Sequence, residues 1–139
     1  MPTLPNALLD RVTDPSADPA VDRSRLTFAA GLIGMGVLHF VVPKPFEKIV
    51  PKWIPWRRGA VLWSGVAELA SGALLAMPAT TKAGGWLAAG TIVAVYPANL
   101  QMAVDATRNP DAGKFATAVT WLRLPLQVPM VLRALRYTR

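Results

Sequence analysis

Four apolar runs, at 26–42, 59–77, 83–102 and 115–135, divide an otherwise polar chain. Each holds roughly 17 to 21 residues. At about 1.5 Å per helical residue they reach about 25–32 Å, close to the hydrocarbon thickness of a bilayer. All four carry prolines or several glycines, and none alternates apolar and polar residues with a period of two, so a membrane β-barrel is not expected. The pattern predicts an all-α fold, an integral membrane four-helix bundle, with one helix per run.

The residues ahead of the first run read differently. Asp10, Asp14, Asp18 and Asp22 alternate there with Pro2, Pro5, Pro15 and Pro19. The segment has no apolar stretch followed by a small-residue cleavage pattern, so it is not read as a signal peptide. The expectation is a polar, largely disordered tail over 1–25 and a membrane domain over 26–137. Leu4, Leu8, Leu9 and Val12 are a candidate for a short amphipathic turn on the membrane surface.

Helical spacing within the runs singles out particular faces. Ser64, Glu68, Gly72 and Ala76 recur every four residues, a stripe of small side chains with one carboxylate. Small stripes let membrane helices approach closely, which turns Glu68 toward the bundle. In the fourth run Thr120, Arg123 and Gln127 fall within roughly 60° of one another at about 100° per residue. Pro125 and Pro129 fall near the opposite face, and each leaves unpaired the carbonyl four residues earlier. The third run holds Asn99 and ends near Asp105; the first holds His39 one turn past Met35.

A charge at the bilayer centre costs about 2.5–3.5 kcal/mol on insertion scales, so Arg123 and Glu68 need partners. Arg123 lies eight residues into its run and Glu68 nine into its own, and alternating helix directions make these two helices parallel. An Arg123–Glu68 ion pair is therefore expected. His39 and Asp105 belong on the same side of the midplane. The polar set His39, Glu68, Asn99, Asp105, Arg123 and Gln127 supports three readings: a clamp that fastens the helices, a site for a small lipophilic molecule such as a quinone, or an ion path.

Aromatic residues reinforce the spans. Trp53, Trp56 and Trp63 surround the start of the second, Trp86 lies near the start of the third, and Tyr137 follows the fourth, as rings favour the headgroup layer. The segment PKPFEKIVPKWIPWRRG is expected to lie rigidly along the membrane surface, with Phe46, Ile49 and Trp53 dipping in and its basic residues favouring anionic headgroups.

Composition narrows the chemistry. The chain is 53% hydrophobic and 17% charged, against roughly 25% charged in soluble domains, which points to a lipid-facing surface. It contains no cysteine and a single histidine, so neither a cysteine metal site nor a bis-histidine haem is expected. The net charge of +7 follows helix ends rather than one face, which argues against a nucleic-acid partner. Apart from Arg123, the basic residues divide evenly between the two sides of the membrane, and the absence of a signal favours cytoplasmic termini in a multi-pass cell-membrane protein.

The segments LHFVVPKPFEKIVPKWIP, SGVAELASGALLAMP, AVYPANLQMA and WLRLPLQ, in this order, together resemble the DoxX-like family of small four-helix bacterial membrane proteins. The likeness spans about residues 26–137. It implies a membrane bundle whose polar positions correspond to His39, Glu68, Asn99, Arg123 and Gln127. It also implies a non-catalytic accessory or anchoring subunit of a quinone-linked redox complex, with the bilayer and a membrane or redox protein as partners. No reaction is implied, and with no nucleotide fingerprint in the chain, catalysis by it alone would require a bound cofactor. The alternative is a protein that binds a quinone-like molecule at the polar set. A transporter would need a homo-oligomer, since four short spans are too few to line a path.

Overall fold

The computed structural model describes residues 19–139. In chain order its helices are α1 (Pro19–Val41), α2 (Pro43–Ile49), α3 (Arg57–Ala76), α4 (Thr81–Ala94), α5 (Tyr96–Arg108) and α6 (Lys114–Arg136), with a 3₁₀ turn at Pro78–Thr80. Four helical stretches, Pro19–Val41, Arg57–Ala76, Pro78–Arg108 and Lys114–Arg136, are long and apolar enough to cross a membrane. Their outer faces carry exposed Phe40, Val93, Leu122 and Val128, as a lipid-facing bundle does and an ordinary soluble surface does not. The protein is an all-helical, multi-pass membrane protein.

Three elements depart from the sequence expectation. The first described helix is already formed at Pro19, the first described residue, rather than beginning near residue 26, so 19–25 belong to the bundle. The candidate turn of Leu4, Leu8, Leu9 and Val12 lies outside the described residues. The third span is two helices rather than one, because Pro97 has no N–H to give to the carbonyl of Val93. The chain turns at Val95, whose carbonyl receives the amides of both Ala98 (3.1 Å) and Asn99 (3.2 Å). The surface segment contains the short helix α2, on which Phe46 and Ile49 turn inward over the bundle rather than into lipid; Trp53 is 76% exposed.

Glycines set the helix order. A Cβ at Gly36 would lie 2.9 Å from the carbonyl oxygen of Gly65, and one at Gly72 would lie 2.7 Å from that of Ala29. Helices α1 and α3 therefore meet backbone to backbone, as small-residue membrane interfaces do. Gly84 gives α4 the same approach to Leu75 of α3, and Gly85 gives it the same approach to Ala134 of α6. The resulting row runs α1, α3, α4, α6, with α5 packed on α6 and α2 lying across α1, α3 and α5. An apolar core of Phe28, Ala29, Leu32, Leu75, Ala88, Ala89, Ile92 and Ala134 fills the end of the bundle nearest the termini.

Candidate functional site: an open polar cavity

At the opposite end the row does not close. The last turns of α1, the first half of α3, the α4–α5 bend and Arg123 of α6 surround a cavity of about 580 Å³, with α2 and the chain through Ile54 also lining it. Small-molecule sites commonly occupy about 300–1,000 Å³. Most of the wall is apolar or aromatic, with Met35, Phe46, Val61, Trp63 and Met102 contributing. Among this lining stand His39, Glu68, Asn99 and Arg123.

Gly65 brings the first two together. A Cβ there would fall 2.8 Å from the Cβ of His39, so the absence of a side chain lets the last turn of α1 settle beside Glu68, less than one turn further along α3. His39 Nδ1 lies 3.1 Å from Glu68 Oε2 and 2.8 Å from the carbonyl oxygen of Met35. Phe46 stacks on the imidazole, ring centroids 4.0 Å apart. His39 and Glu68 are 6% and 7% exposed.

The expected Arg123–Glu68 ion pair does not form: Glu68 is paired with His39. The physical reason is helix order. α4 stands between α3 and α6, whereas α1 meets α3 through glycine. Similar depth brings Arg123 and Glu68 to one cavity without bringing them into contact. Arg123 is exposed and makes no hydrogen bond or ion pair among the described residues. Asn99 is only 6% exposed, yet its side-chain amide makes no hydrogen bond among the described residues either. Glu68 Oε2 is buried without a hydrogen bond. The proximity to His39 Nδ1 is thus an ionic or dipolar contact, and the hydrogen bond of that nitrogen goes to Met35.

Two of the six candidate residues lie elsewhere. Asp105 is exposed on α5 and accepts a 2.8 Å hydrogen bond from Gln101 Nε2. Gln127 is buried against α4, where its Nε2 donates to the carbonyl of Ile92 at 3.1 Å. That carbonyl is in the final turn of α4, where helical donors run out, so Gln127 caps a broken helix. Pro125 and Pro129 are exposed, away from that buried face. The contribution of Phe46, Thr91 and the loop to the cavity was not anticipated; the only sequence signal for it was a proline- and aromatic-rich connection between two spans. Among the described residues no three His, Cys, Asp or Glu side chains gather to hold a metal.

A second polar group, also unanticipated, sits at the far end of the bundle. Arg25 is buried; its Nη1 donates to the carbonyl of Leu75 and its Nη2 to Asp22 at 2.9 Å. Leu75 is in the last turn of α3, so a side chain of α1 caps that helix. Arg133 of α6 donates to the carbonyl oxygen of Ser24 at 2.6 Å and lies over the ring of Phe28, joining the two ends of the row.

A family model described as a domain of unknown function, DUF8561, matches residues 28–138, which include the last three transmembrane segments, the larger part of the first and every residue that lines the cavity. No curated protein and no solved structure matches the chain.

Proposed function

The chain belongs to the DUF8561 family, and on that footing we propose that it binds a small amphipathic molecule with a ring-bearing, quinone-like headgroup in the cavity between α1, α3, α5 and α6. The carrying observation is unspent hydrogen-bonding capacity around a space of ligand size: among the described residues the buried side chains of Asn99 and Glu68 make no hydrogen bond, and Arg123 has no partner. Unpaired buried polar groups cost about 1–3 kcal/mol each. A clamp would pair the charges across the bundle, whereas here Glu68 meets only the neighbouring His39, and Arg123 and Asn99 line the same cavity without a side-chain partner among the described residues. The aromatic wall suits a flat ring, and the surrounding bilayer supplies ligands of this class. A relationship to the DoxX-like proteins forms part of the proposal, since His39, Glu68, Asn99 and Arg123 all line the cavity. This reading is preferred to a purely anchoring subunit for the same reason.

The test uses the purified full chain in lipid nanodiscs, titrated with a decyl-substituted benzoquinone and its hydroquinone and read by quenching of tryptophan fluorescence. Trp53 and Trp63 line the cavity and serve as reporters. Saturable binding is expected for at least one of the pair, weakened about tenfold or more by Glu68→Leu and unchanged by Asp105→Asn. Non-saturable partitioning, or saturation indifferent to Glu68→Leu, would refute the proposal.

A further inference from the structure

The inner end of the cavity has a hydrogen-bonding polarity. His39 Nδ1 stands between two acceptors, the carbonyl oxygen of Met35 at 2.8 Å and Glu68 Oε2 at 3.1 Å. A nitrogen lone pair in that position would face two electron-rich oxygens, so Nδ1 carries the proton and directs it to Met35. In the neutral ring the other nitrogen, Nε2, is then an acceptor, and it has no partner among the described residues. Neither oxygen of Glu68 receives a hydrogen bond there; Oε2 is fully buried without one. An ionised carboxylate only accepts. Nε2 is an acceptor only while the ring is neutral, whereas the Glu68 carboxylate accepts in either case, so Glu68 is the group at this end that wants a donor.

The other polar groups are of the opposite or mixed kind. Arg123 only donates, and the Asn99 amide can do either. Both line the cavity from other helices, α6 and α5. The complementary ligand has a hydroxyl at one end and an acceptor oxygen at the other, joined by a ring that fits beside Phe46 and Trp63.

We propose that the cavity selects hydroxyl-bearing rings, phenols and hydroquinones, over the matching quinones and ethers, with the hydroxyl donating to the Glu68–His39 end. The proposal rests on the ligand-binding reading above and specifies its substrate class. A carbonyl or ether oxygen at that end would place acceptor against acceptor and leave Glu68 unpaired, the situation in which a site rejects an analogue most strongly.

The experiment compares a long-chain 4-alkylphenol with its methyl ether, which differ only in the donor hydrogen and the methyl group that replaces it. Both are titrated into the wild-type full chain in nanodiscs, alongside the benzoquinone and hydroquinone pair. The phenol is expected to bind about tenfold more tightly than its ether, and the hydroquinone about tenfold more tightly than its quinone. In Glu68→Gln the phenol preference is expected to fall to about threefold or less, through weaker phenol binding rather than tighter ether binding. The wild-type comparison decides the matter even where that variant folds poorly. Ether binding as tight as phenol, or quinone tighter than hydroquinone, overturns the selectivity while leaving binding intact. Failure of all four compounds to saturate overturns the binding reading itself.

Discussion

The two polar regions of this bundle contain similar residues and treat them in opposite ways. At the end near the termini, Arg25 and Arg133 spend their hydrogen bonds on Leu75, Asp22 and Ser24, and the neighbouring space is filled by Phe28, Leu75 and Ala134. Of the buried side-chain polar atoms in that knot, Arg133 Nε is left without a partner. At the other end Glu68, Asn99 and Arg123 border a cavity of about 580 Å³, and what they lack is hydrogen-bond partners rather than room. Charge inside a membrane bundle therefore has no single meaning. Where the groups satisfy one another and the space is filled, they fasten helices. Where they surround a void with hydrogen-bonding capacity unspent, they suit the ligand proposed above.

The contrast can be broken or sharpened by substitution. The largest effect is expected for Gly72→Val, in the α1–α3 contact that both regions depend on. Its side chain would meet Ile33 and the Ala29 carbonyl, where even a Cβ would be 2.5 Å and 2.7 Å away. Overpacking of this kind costs about 1–3 kcal/mol, and here both folded yield and ligand binding should fall together. Arg25→Met should come next. It uncovers the last turn of α3 and removes a buried charge from its partners, for a loss of about 1–2 kcal/mol by thermal unfolding in nanodiscs. Ligand affinity should be unchanged, and a parallel loss of binding would erase the distinction between the regions. The smallest effect is expected for Arg123→Gln, which should weaken ligand binding about threefold to tenfold and leave the melting temperature within about 2 °C. Strong destabilisation that is rescued by also replacing Glu68 would restore the clamp reading.

The number, type and approximate extent of the membrane helices were legible in the sequence because bilayer thickness fixes the length of an apolar span and leaves few alternatives. The burial of Glu68 was legible for a similar reason, since a carboxylate on a stripe containing Gly72 has one affordable direction. The partner of Glu68 was not. Counting residues gave a depth along each helix but no lateral order, and lateral order depends on which glycines face which backbone. Gly36 and Gly65 decide that His39, not Arg123, stands beside Glu68. Gln127 shared a helix face with Arg123 on paper, yet one turn along α6 it meets the end of α4 instead. That end exists only because Pro97 breaks the third span, a consequence visible locally but not in its effect on a distant glutamine. Arg25 falls within the tail expected over 1–25, but helix α1 already includes it and turns it inward to cap α3.

The most direct test of the central claim is to map where a ligand sits. An alkylphenol carrying a small photoreactive diazirine, irradiated with the full chain in nanodiscs, would mark the residues around it, and the marked peptides can be located by mass spectrometry. Labelling is predicted to concentrate in 45–54 and 94–102, the two segments that wall the cavity outside α1 and α3, and to be displaced by excess unlabelled phenol. Labelling spread over the lipid-facing side chains of α6, such as Val119 and Leu122, and indifferent to competitor would contradict it.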